Sequence, residues 1–174
     1  LVEEAAAADA RPTLLAAILV LALVVRSLSA AAWVTWSAVA LGLIAGALSI
    51  VNALSPHEAL EVTGGLLHAF LYFATAGSLL HYMLRDHRVT LDELFAVGAT
   101  FTVLAWAFAY VYVVVQALQP AAFTGAVDPG SMRSWMELLF LSVTILTSTG
   151  LSDVVPLISP ARSMVMLEQM VGLG

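Results

Sequence analysis

Residues 138–172, LLFLSVTILTSTGLSDVVPLISPARSMVMLEQMVG, decide the fold. The apolar run that leads into them, 134–146, is too short to span a bilayer core, which takes about 20 residues of helix. A hydroxyl-rich loop follows it: Thr147, Ser148, Thr149, Gly150, Leu151, Ser152, then Asp153. Val154, Val155 and Pro156 lead out of that loop. Pro160, Ala161 and Arg162 open a further helix that carries Leu167, Glu168 and Gly172. Upstream lies a long helix, so the order is long helix, short helix, polar loop, helix. That order describes a re-entrant hairpin between two membrane helices. Non-helical backbone at membrane depth persists only where protein or water lines it. The loop is therefore expected to face an aqueous path.

Working outward, the composition agrees. The chain is 61% apolar and 10% charged, whereas soluble domains run nearer half apolar and a quarter charged. Lipid is the expected solvent. There is no cysteine, which excludes a disulfide framework and a thiolate metal site. The formal net charge is -6 and every basic residue outside the histidines is arginine, which argues against nucleic acid and against a polybasic lipid-binding face. The segment 1–11 is a polar tail without the basic start and apolar run of a signal peptide. The chain begins on Leu1 and stops in an apolar run at Gly174, so both ends are expected to continue.

Residues 12–53 carry one charge, Arg26, and are too long for one span. Arg26, Ser27 and Ser29 mark the expected break, giving helices over about 12–26 and 30–53, with Pro12 suited to a first helical position. Ala38, Gly42 and Gly46 form a small-residue face suited to close helix packing within one subunit. A polar break is expected over 55–63, around Pro56, His57, Glu58 and Glu61. The third helix is expected over 64–84, ending before Arg85, Asp86, His87 and Arg88. Thr90 and Glu93 have capping-box spacing for the fourth helix. That helix runs to Gln119, where Pro120 stops it. At about 29 residues it is roughly 43 Å long, so it must tilt in or protrude from a core about 30 Å thick.

The pore region of bacterial two-helix potassium channels has an apolar pore helix, then T-T-V-G-Y-G-D, an extended exit and an inner helix. Thr147, Ser148, Thr149, Gly150, Leu151, Ser152 and Asp153 resemble that filter. Val154-Val155-Pro156 resemble the exit, and Pro160-Ala161-Arg162, Leu167-Glu168 and Gly172 resemble the inner helix. The resemblance to the tetrameric potassium-channel family implies an all-α integral membrane protein with about five transmembrane helices, a re-entrant pore helix and a selectivity-filter loop. It also implies a homotetrameric pore. The implied division is a tail over 1–11, a three-helix membrane region over 12–89 and a pore domain over 90–174. Within the pore domain the outer helix covers 90–119, the turret 120–133, the pore helix 134–147, the filter 148–153 and the inner helix 160–174.

In such a filter, backbone carbonyls replace the hydration shell of the ion. Gly150 supplies a conformation that a Cβ resists, and Ser148 stands where the family places a threonine hydroxyl at the innermost ion site. The carbonyl end of the pore helix favours a cation. Four departures stand out. Leu151 replaces the tyrosine whose phenol anchors the filter to its cuff. Ser152 replaces the second glycine, and Thr149 replaces the valine that packs behind the filter. Thr144 occupies a position that is glutamate in some bacterial members, which leaves Asp153 without that partner. The chain is expected to avoid a left-handed conformation at Ser152, leaving the outer ion site wider, wetter or lined by the Ser152 hydroxyl.

Thr144, Trp135 and Glu168 are the expected filter supports. For Glu168 the alternative is a charge facing a water-filled crevice; for Trp135, with Trp106, it is an interfacial or packing role. His68 is a candidate proton site, against the plainer reading of a core histidine bonded to a neighbour such as Tyr72. His81 lies near a helix end and can snorkel. No histidine pair has convincing metal-ligand spacing. No helix carries the arginine repeat of a voltage sensor. An intramembrane enzyme would need a coupled Ser-His, Asp-Asp or metal motif, and none is present.

The expected function is passive conduction of monovalent cations, with potassium as the permeating ion, in a multi-pass protein of the cell membrane. Expected partners are three further copies of the chain and lipid, without nucleic acid. No cofactor and no resident metal are expected, the monovalent cation sitting at filter carbonyls. A weakly selective cation channel and a non-conducting membrane sensor or scaffold with a degenerate filter are the alternatives. The arginines split evenly between the two sides and give no orientation; the resemblance places the filter mouth, and with it the N-terminus, outside.

Overall fold

A computed structural model describes residues 32–55, 57–84 and 91–173. The expected tail 1–11, the helix over 12–26 and the residues Arg85, Arg88 and Thr90 lie outside the described residues. The elements are α1 (Ala32–Leu54), α2 (Glu58–Met83), α3 (Leu91–Leu118), β1 (Phe123–Thr124), α4 (Trp135–Leu146), β2 (Val155–Pro156) and α5 (Ser159–Leu173).

Among the described residues, Glu58–Met83 and Leu94–Leu118 are the helices long and apolar enough to cross a bilayer. Their outward faces carry large apolar side chains, among them Phe70 and Phe95 at 63% and 76% exposure. The polar residues His68, Thr100 and Gln116 are buried. A water-soluble surface would reverse that distribution, and lipid accounts for it.

The third helix begins at Glu58, not at residue 64, so most of the expected polar break is its first turn. Glu58 and Glu61 lie there, where a carboxylate meets the positive end of the helix dipole. The His57 N–H donates to Asn52 Oδ1 at 3.1 Å across the corner from α1. Of the expected small-residue face, Gly46 makes no close approach. A Cβ on Gly46 would meet nothing within 4 Å, whereas one on Gly64 would touch Leu48. Among the described residues of α1, the buried small one is Ala45.

Helices α2 and α3 pack antiparallel through aromatic rings. Tyr72 meets Trp106 edge-on at 5.6 Å and His68 stacks on Tyr110 at 4.5 Å. His68 Nδ1 lies 2.8 Å from the Gly64 carbonyl, so its hydrogen bond goes to its own helix and not to Tyr72. A second core joins α3, α4 and α5 through Phe108, Tyr112, Phe123, Leu138, Leu141, Val154 and Ala161. It places the loop 147–153 at the junction of α4 and α5.

Ser134-x-x-Glu137 closes the start of α4 as a capping box. Ser134 N–H donates to Glu137 Oε2 at 2.7 Å, and Glu137 N–H donates to Ser134 Oγ at 3.3 Å. Two orphan donors of the first turn are thereby satisfied. Glu137 lies outside the spanning helices. Its carboxyl is held below the ordinary 4.5, first by the Ser134 N–H and then by the Ser134 side chain and Arg133, against some desolvation.

Candidate functional site

The loop begins where α4 ends, and the ending has a definite chemistry. Ser148 has φ 55 and Gly150 has φ 63. Ser148 N–H donates to the Ile145 carbonyl at 2.9 Å, and Thr149 N–H donates to the Thr144 carbonyl at 3.0 Å. These are the two bonds of a Schellman motif, with Ser148 at the left-handed position that glycine usually occupies. Gly150 N–H also reaches the Thr144 carbonyl, at 3.3 Å, as does Thr149 Oγ1. Thr144 thus holds the loop by its backbone oxygen, while its own hydroxyl donates to Leu141. Thr147 donates its hydroxyl to the Val143 carbonyl at 2.8 Å.

Donors therefore turn inward and acceptors stay free. Among the described residues, no hydrogen bond reaches the carbonyl oxygens of residues 147–153. Ser152 takes no positive φ. Its hydroxyl accepts from Val154 N–H at 3.1 Å, which directs it into the loop's own turn. Leu151 is 77% exposed. The side chain of Asp153 makes no hydrogen bond among the described residues.

At the exit, Val154 enters the core at 3% exposure. The next two residues pair antiparallel with β1, Phe123 against Pro156 and Thr124 against Val155. Leu157 N–H adds a bond to the Ala122 carbonyl at 2.9 Å. Beneath the loop, a Cβ on Gly172 would stand 2.5 Å from the Leu146 carbonyl oxygen. Only glycine lets α5 approach the end of α4 so closely.

Glu168 is fully buried, which overturns the water-filled crevice. Tyr112 of α3 donates its phenol to one carboxyl oxygen, and Ser142 of α4 donates to the other. Ser142 Oγ also lies 2.8 Å from the Ala105 carbonyl. One carboxyl group on α5 thus joins three helices behind the loop. Trp135 stands at the opposite end of α4 from the loop. It packs edge-on against Trp106 at 5.5 Å, and its Nε1 is buried with no partner among the described residues.

Residues 98–174 match the family model described as Ion channel, a two-helix channel family. Over this segment the chain is similar to that ion-channel family. The segment comprises most of α3, then the turret, α4, the loop and α5. Together with two helices of spanning length, the match points to a membrane protein. No curated protein and no solved structure matches the chain.

In this segment, two pairs of buried residues escape a reading by motif. Tyr112 and Ser142 stand 56 and 26 positions from Glu168, and no local period links them. Gln116 pairs with the backbone of Arg133, 17 positions on. The left-handed backbone falls on Ser148, and Ser152 avoids it as expected. A usable signal existed for Ser134 and Glu137, whose spacing is that of a capping box.

Proposed function

We propose that the chain forms a passive channel for monovalent cations, in which four copies place their 147–153 loops around one axis. One observation carries it. The loop presents carbonyl oxygens that no donor among the described residues occupies, while Ser148, Thr149 and Gly150 direct their N–H groups back into α4. A surface of unpaired acceptors suits a cation and offers little to an anion. A single loop cannot encircle an ion, so several copies must meet. In this reading α4 is the pore helix, α3 the outer helix, α5 the inner helix and 147–153 the filter. Thr144 and Glu168 support the filter, and the protein is a multi-pass component of the cell membrane. Potassium is the expected ion.

The test is flux from liposomes of defined lipid, read with potassium, sodium and chloride gradients, alongside the detergent-corrected mass of the full chain. Cation flux without chloride flux from a tetramer is the expected result. A stable monomer, or a tetramer that passes no cation, would leave the sensor or scaffold alternative standing.

Weak selectivity is the second reading, favoured by the outer half of the loop. Ser152 lacks the left-handed backbone, and Leu151 has no hydroxyl to bind a cuff. The double change Leu151→Tyr with Ser152→Gly should then sharpen discrimination of potassium over sodium. A wild type already as selective as the double variant would refute it.

A further inference from the structure

Residues 151–153 make no hydrogen bond to any helix among the described residues; the Ser152 hydroxyl serves only Val154. The outer half of the loop is therefore held at its ends. One end is the Thr144 carbonyl. The other is Val154 with the β1–β2 pair. What holds β1 in turn decides how firmly the exit end is placed.

β1 belongs to the turret, and the turret is organised around one buried cation. The Arg133 side chain is 2% exposed. Its Nε donates to the Ser131 carbonyl at 3.2 Å. Nη1 donates to the Val127 carbonyl at 3.0 Å and to Glu137 Oε1 at 3.1 Å. Nη2 donates to the Asp128 and Ser131 carbonyls at 2.6 and 2.7 Å. All five N–H groups of the planar fork are thus engaged. The Arg133 backbone is gripped as well. Its N–H donates to Gln116 Oε1 at 2.8 Å, and its carbonyl accepts from Gln116 Nε2 at 2.9 Å. Gly125, one residue beyond β1, lies so close that a Cβ there would collide with Nη1.

We infer that Arg133, gripped by Gln116, is a positioning residue for the exit end of the filter: it ties the turret to the first turn of α4, and the turret passes that hold through β1 to Val155 and Pro156. The inference rests on the conducting reading above. Arg133 touches no ion and acts only through the loop. It closes a ring that runs from α3 through the turret, α4 and the filter back to β1. That closure is the main restraint on a loop whose outer residues have no cuff bond. Lysine cannot substitute, because an ammonium is a point donor and cannot bridge carbonyls spread around a planar fork.

The experiment uses the full chain in liposomes, with potassium-to-sodium permeability ratios from reversal potentials and hydrogen exchange of peptides covering 151–158. The variants are Arg133→Lys and the near-isosteric Gln116→Met, which keeps a good helix former if the arginine variant folds poorly. Val103→Ala, buried in the α2–α3 contact, serves as the comparison. Losing one or two buried hydrogen bonds should move the permeability ratio by about threefold or more and speed exchange over 151–158. Val103→Ala should lower the melting temperature and move neither readout. Wild-type ratios and wild-type exchange in both turret variants would overturn the inference. Wild-type vesicles without cation flux would instead refute the conducting reading, and exchange over 151–158 would still decide whether the latch exists.

Discussion

Replacing Glu168 with leucine removes the acceptor for the Tyr112 phenol and leaves an apolar chain of similar size. Tyr112 is itself fully buried, so its hydroxyl has no route to water. An unpaired buried donor costs about 1–3 kcal/mol. Ser142 is spared, because its hydroxyl already lies 2.8 Å from the Ala105 carbonyl. Glutamine should behave differently. Its oxygen can accept from Tyr112 and its amide can donate to Ser142, which then donates to Ala105. Glu168→Gln should therefore assemble and melt close to wild type, within about 1 kcal/mol. Glu168→Leu should lower the melting temperature in detergent by roughly 5 °C for a chain of this length. Tyr112→Phe should also destabilise, by removing a donor from the buried carboxyl. The double variant should recover part of the loss, with a coupling energy of about 1–3 kcal/mol. Additive losses, or a Glu168→Leu protein as stable as wild type, would refute the three-helix junction.

Three further outcomes are expected. Ser148→Gly relieves a left-handed conformation worth about 1 kcal/mol per subunit, so it should raise the thermal midpoint; a lower midpoint would show that the serine hydroxyl matters more than its backbone. Gly172→Ala sets a Cβ against the Leu146 backbone and should cost about 1–3 kcal/mol by overpacking. A stability unchanged from wild type would mean that α5 shifts freely, and cation flux measured in parallel would show whether the loop follows. For Glu137, the folded carboxyl lies below its ordinary 4.5. Its stabilising contribution is thus complete above that value and is lost as pH falls through the lower, folded value. Melting temperature should fall below pH 4.5 more steeply in wild type than in Glu137→Gln, and parallel curves would contradict the capping box.

Much was legible in the residues themselves. The lipid environment is read from apolar runs whose large side chains also face outward in the fold. The helix–loop–helix order follows from a helix too short to span, set before hydroxyls, glycine and proline. Local chemistry of that kind depends only on near neighbours in the chain. Glu168 stood out for a comparable reason, as an ionisable group at membrane depth. Its partners did not, since Tyr112 and Ser142 meet it only when α3, α4 and α5 pack. The start of α2 was misplaced because Glu58 and Glu61 look like a loop by polarity, while the helix dipole makes them good first-turn residues. The left-handed strain at Ser148 arises where a helix end and a loop must share the Thr144 carbonyl. The Arg133 latch and the β1–β2 pair likewise exist only because the turret and the loop exit are brought side by side. Sequence alone determined which segments are apolar and where a short helix gives way to a polar loop; tertiary packing decided which polar groups find each other, because burial favours bonding to whatever neighbour the fold brings within reach.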